Sequence, residues 1–83
     1  MKALYFAFLR ERIGKAEEEI APPEDIKTVA DLMDWLSDQG ENYAAAFANS
    51  KTTRAALDRT HVKHDAVIGN AREIAFFPPM TGG

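Results

Sequence analysis

The sequence predicts an α+β fold: a mixed β-sheet packed against a helix, with an extended C-terminal tail. Three observations carry this. Runs rich in aromatic and aliphatic residues stand near both ends of the chain, over 2–9 and 72–77, where strands fit and a helical stripe does not. Between them Val29, Leu32, Met33 and Leu36 recur at three- and four-residue spacing, the single apolar stripe of a helix lying on a sheet. Pro78-Pro79 then remove two backbone donors and hold φ near its extended value, so neither helix nor sheet pairing continues. The domain is read as residues 1–77 and the tail as residues 78–83.

The bulk properties limit what such a chain can do. Its 83 residues make one domain with a modest core. Hydrophobic residues at 46% and charged residues at 28% are ordinary for a globular chain. A net charge of −3 argues against nucleic acid, which needs a basic face. The chain has no cysteine, which excludes disulfides, thiolate nucleophiles and cysteine-based zinc sites. No apolar run approaches the ~20 residues that span a bilayer, so no membrane role is expected. The start superficially resembles a signal peptide, but Arg10-Glu11-Arg12 follows the aromatics with no small-residue cleavage site. It is read as a first strand, and the protein as cytoplasmic.

In order along the chain, residues 2–9 alternate Leu4, Phe6 and Phe8 on one face with Ala3, Tyr5, Ala7 and Leu9 on the other. Apolar residues on both faces suit a central strand. Gly14 marks a turn, and a weaker strand over about 16–20 ends at Pro22-Pro23. Thr28 is a helix cap and Asp31 places a carboxylate in the first turn, with Gly40 as the stop. A second short helix over about 41–48 would bury Tyr43, Ala44 and Phe47. Asn49-Ser50-Lys51 is a turn. Ala55-Ala56-Leu57 and His61-Val62 are short strands split by Asp58-Arg59, and Gly69-Asn70 turns the chain into the last strand, 72–77. The first and last strands are placed as parallel neighbours at the sheet centre, joined by the long crossover.

Few of the polar groups form a chemical constellation. His61 and His64 point to opposite faces if both lie in a strand, and no third ligand accompanies them, so no metal is expected. Glu17-Glu18-Glu19 and Glu24-Asp25 read as solvated faces rather than acid–base pairs. Trp35 reads as an edge-of-core residue and Met33 as core. Isolated Gly69 forms no phosphate-cradling loop. Phe76-Phe77 remain: strand alternation turns one ring inward and the other outward, unless loops cover both. An outward Phe77 beside Pro78, Pro79 and Met80 makes an apolar patch of the kind that marks a partner site. Gly82-Gly83 end the chain without Cβ atoms, which suits a carboxylate that enters a narrow slot, although a frayed terminus reads the same way.

Taken together, Phe76-Phe77-Pro78-Pro79-Met80-Thr81-Gly82-Gly83 resembles the C-terminus of the small subunit of molybdopterin synthase, the MoaD family. Phe6-Ala7-Phe8-Leu9-Arg10-Glu11-Arg12-Ile13-Gly14 resembles the family's F-A-x-x-R-E-x-x-G segment, and Thr28-Val29 matches a common T-V position. The likeness covers nearly the whole chain and implies the β-grasp (ubiquitin-like) fold. Departures are Asp58 where the family often has Asn, His61 where an apolar residue is usual, and Ala71-Arg72 in place of a Gly-Asp turn.

The resemblance implies that Gly83 is the working residue. A MoeB-type, E1-like enzyme would adenylylate it with ATP, and a sulfur-donor protein would convert it to a thiocarboxylate. The tail would then enter the active site of a MoaE-type large subunit, within a heterotetramer, and pass sulfur to cyclic pyranopterin monophosphate. Phe6, Arg10, Phe77, Pro78, Pro79, Met80, Thr81 and Gly82 are the implied partner contacts. No cofactor would be bound by this chain, and the catalytic pocket would lie on the large subunit. A thiamine-type sulfur carrier or a ubiquitin-like protein modifier would share the fold and the Gly-Gly end. A binding module with an inert tail is the alternative of a different class.

Overall fold

In this computed structural model, which describes residues 1–79, the chain runs β1 (Lys2–Tyr5), α1 (Phe8–Ile13), β2 (Glu17–Glu19), α2 (Val29–Ser37), α3 (Glu41–Ala46), β3 (Arg54–Leu57), β4 (Thr60–Val62) and β5 (Glu73–Phe77). The five strands form one sheet in the order β2-β1-β5-β3-β4. β1 and β5 are parallel, with Tyr5 opposite Phe76, and the other neighbours pair antiparallel. The mixed sheet with two parallel central neighbours is thus the architecture read from the sequence.

Alternation along the strands decides where the core sits. Ala3, Tyr5, Ile74, Phe76 and Ala55 are buried beneath the helices, together with Val29, Leu32, Met33 and Leu36 of α2. Phe76 is fully buried, stacked on Tyr5 with ring centroids 6.4 Å apart and met edge-on by Phe47 at 5.1 Å. Offset stacking and edge-to-face contact are the arrangements that the ring quadrupole favours. Trp35 packs half-buried against this cluster.

The start of α2 is as read. Thr28 Oγ1 accepts from the Asp31 N–H at 3.1 Å, and Asp31 Oδ2 accepts from the Thr28 N–H at 3.2 Å. This reciprocal box satisfies donors that a helix start leaves orphaned. Two more are taken up by the segment between β4 and β5, as Val29 and Ala30 donate to the carbonyls of Ala66 and His64 at 3.0 and 2.8 Å.

Several expectations need correction. The first strand stops at Tyr5 rather than Leu9, because the backbone reverses at Ala7, with φ 55° and ψ −133°, into α1. Leu9 and Ile13, one helical turn apart, are its buried pair, and Arg10-Glu11-Arg12 form its exposed side. The alternation drawn through Phe8 and Leu9 therefore does not exist. Gly14 caps α1 in the left-handed conformation, φ 89°, donating to the Arg10 carbonyl, a geometry that favours glycine. Gly40 does not stop α2, which is capped at Asp38. It precedes α3 as its N-cap. In α3 the buried residues are Tyr43 and Ala46, with Phe47 just beyond, and Ala44 faces solvent.

Glu18 is also corrected, from a solvated face to a half-buried acceptor. It pairs with Ala3 and so turns toward the helices. Its Oε2 accepts from the hydroxyls of Tyr5 at 2.8 Å and Tyr43 at 2.7 Å, and its Oε1 from Lys15 Nζ at 3.0 Å. Burial pushes the Glu18 carboxyl up, but Tyr43, Tyr5 and Lys15 outweigh it and hold the group below the usual carboxylate range. Burial, followed by the bond to Glu18, pushes both tyrosine hydroxyls up. The carboxylate thus ties β1, β2 and α3 together.

Candidate functional site

The face of the sheet away from the helices is where β5 delivers the chain to its C-terminal segment. In-register strands share side-chain faces. On this face Leu4 stands beside Ala75 and Ala75 beside Ala56, while Arg54 flanks Phe77 and His61 lies opposite Ala56. Phe77 is half-buried, with its ring 5.2 Å from that of His61 and tilted by 56°. Pro78 and Pro79 follow, also half-buried.

Because β1 and β5 are parallel, the chain leaves both strands at the same end of the sheet. The Phe6 N–H donates to the Phe76 carbonyl at 3.1 Å, extending the pairing by one step beyond β1. Phe6 is 48% exposed there, and Phe8, across the strained Ala7, is 37% exposed. Of the residues nominated from the sequence, Phe6, Phe77, Pro78 and Pro79 therefore collect at one end of the sheet. Arg10 is exposed on α1, which starts from that end. Met80, Thr81, Gly82 and Gly83 lie outside the described residues.

The two histidines have separate duties. His61 belongs to the outer face, whereas His64 has left β4 and its Nε2 lies 2.7 Å from the Thr53 carbonyl, to which it donates. Among the described residues no three His, Cys, Asp or Glu side chains gather as a metal set. Nor is any described helix long and apolar enough to cross a membrane.

The far end of the sheet explains one sequence departure. Asp58 and Arg59 take φ 47° and 71° in the β3–β4 turn, where Asp and Asn are the side-chain-bearing residues best tolerated. Asp58 Oδ1 accepts from the N–H groups of Arg72 and Glu73 at 2.9 and 3.0 Å, pinning the turn to the start of β5. An Asn side-chain carbonyl can make the same bonds, so Asp in its place is chemically conservative.

The sequence profile of the ThiS family matches residues 3–83. The chain belongs to the ThiS family. Among its relatives, a protein of Escherichia coli named molybdopterin synthase sulfur carrier subunit is 37% identical, over 100% of this chain and 99% of that protein. One of the same name from Haemophilus influenzae is 34% identical over the same shares. Among solved structures, small archaeal modifier protein 1 of Haloferax volcanii superposes with a TM-score of 0.72 at 20% identity. That superposition covers 96% of this chain and 97% of the modifier, and at that identity the likeness concerns the fold. The resemblance to the small subunit of molybdopterin synthase and the β-grasp architecture are both borne out for this ThiS-family chain.

Proposed function

We propose that this ThiS-family chain is the sulfur-carrying small subunit of a molybdopterin synthase, working in the cytoplasm, and that Gly83 carries the sulfur. The observation that supports it most is the full-length likeness to two proteins of that name. The central strand adds to this, running out through Phe77, Pro78 and Pro79 beside exposed Phe6. A carboxylate is a poor electrophile. Adenylylation by a MoeB-type, ATP-using enzyme releases pyrophosphate and leaves an acyl adenylate on Gly83, from which AMP departs readily. Sulfur delivered at the sulfide level by a donor protein then attacks the acyl carbon, AMP leaves, and a thiocarboxylate remains. The sulfur must come from outside, since the chain has no cysteine.

In this reading the tail enters the active site of a MoaE-type large subunit, with which the chain forms a heterotetramer, and cyclic pyranopterin monophosphate receives the sulfur. Gly82 and Gly83 present no Cβ to a narrow entrance. Phe6, Arg10, Phe77, Pro78, Pro79, Met80 and Thr81 make the partner contacts. The chain binds no cofactor of its own, and the groups that hold the terminus and move protons belong to the partners.

The test is intact mass after incubation with the activating enzyme, ATP and a sulfide source. A gain matching one oxygen replaced by sulfur, mapped to Gly83, is the expected outcome. An unchanged mass, with the activating enzyme competent on another carrier, would overturn the proposal in favour of a binding module.

A further inference from the structure

Positive charge is concentrated at the open end of the β3–β4 hairpin, beside the root of the tail. Lys51, Arg54 and Lys63 line one cleft there, with Thr53, Val62 and His64 completing its wall. Arg54 stands in register with Phe77, and His61 rests on the Phe77 ring, so the cleft adjoins the apolar strip of the outer face. Among the described residues no carboxylate lies within ion-pair distance of Lys51, Arg54 or Lys63. The ion pairs among the described residues are made by Met1, Lys2, Lys15 and Arg59, away from this corner. A chain of net charge −3 thus keeps an unneutralised cationic corner where its tail begins.

Apolar residues at the centre and long charged side chains around them are the anatomy of a protein interface. A phosphate site is built differently, from converging backbone N–H groups or buried donors. Here the three cations are exposed, and His64 is already spent on the Thr53 carbonyl. We infer that Lys51, Arg54 and Lys63 form the basic rim of the docking surface and take a cluster of carboxylates on the protein that receives the tail. The inference rests on the sulfur-carrier reading, which makes the tail root a docking surface. Rim charges act mainly on the association rate and its salt dependence, and exposed pairs are screened within about 10 Å at 0.1 M salt.

The experiment measures association of the full chain with its own organism's large synthase subunit at about 50 and about 500 mM salt. The double variant Arg54→Glu/Lys63→Glu is expected to associate roughly tenfold more slowly at low salt and to match the unaltered chain at high salt. Arg54→Gln/Lys63→Gln, which removes charge without reversing it, should fall between them and serves if the reversed pair misfolds. Lys27→Glu/Arg72→Glu, which changes charge as much but elsewhere, should leave the rate within about twofold. An unchanged low-salt rate in the Arg54/Lys63 pairs would overturn the inference while leaving the sulfur-carrier reading intact. So would a salt-independent rate accompanied by saturable inorganic phosphate binding at the Arg54 and Lys63 amides, read by NMR. Failure of the unaltered chain to associate at either salt would instead bring down the sulfur-carrier reading.

Discussion

At Ala7 the backbone holds φ 55° and ψ −133°, a conformation that costs a residue with a Cβ about 1–3 kcal/mol. The surrounding structure enforces it, since Phe6 is tied to β5 on one side and Leu9 is buried on the other. Ala7→Gly would remove that strain while adding freedom to the unfolded chain worth about 0.4–1 kcal/mol. A net gain of about 1 kcal/mol in urea denaturation is expected. Glu18 gives a second prediction at this scale. Its folded-state carboxyl lies below the ordinary range, so its stabilisation is present above the unfolded glutamate value of about 4.3 and is lost as pH falls through the folded value. Glu18→Gln should cost about 1 kcal/mol at neutral pH, because charge-assisted bonds become neutral ones. In thermal melts across pH, the gap between variant and unaltered chain should narrow below about pH 4. Neither residue declares itself in the sequence. Ala is not a turn signal, and three successive glutamates give no hint which one meets two tyrosines.

At the scale of elements, β5 carries opposite duties on alternate residues. Phe76 is fully buried between Tyr5 and Phe47, whereas Phe77 is half-buried on the outer face against His61. Phe76→Ala should cost about 3–5 kcal/mol in denaturant unfolding, a large share of a small domain's total. Phe77→Ala should barely move the unfolding midpoint and weaken binding of the large subunit by about 2 kcal/mol, the loss of a hot-spot ring. Calorimetric titration beside thermal melts separates the two outcomes. The inward-outward split could be drawn from period alone. α2 was equally legible, since its stripe and its Thr28–Asp31 box are local. α1 was not, because its only buried pair, Leu9 and Ile13, sits behind an aromatic run that reads as continued strand. Six residues give too few turns for a period to show.

For the whole molecule, the parallel pairing of β1 with β5 sets Phe6, Phe77, Pro78 and Pro79 at one end and the pinned Asp58–Arg59 turn at the other. Removing Gly82-Gly83 leaves the described core and sheet, both built from residues within 1–79, complete. It should leave the unfolding free energy within about 0.5 kcal/mol of the unaltered chain and abolish the mass gain on sulfur loading. By itself the sequence determined the two end strands and the helix between them, the capped start of α2, the inward Phe76 and the run of prolines that ends β5. Each depends on residues close in the chain, whose period, cap chemistry or missing donor acts locally. Tertiary structure alone decided that Ala7 would be bent out of the strand and that Glu18 would meet Tyr5 and Tyr43. It also brought Lys51, Arg54 and Lys63 around one cleft beside Phe77. These depend on register and on packing between segments distant in the chain, which no local pattern encodes.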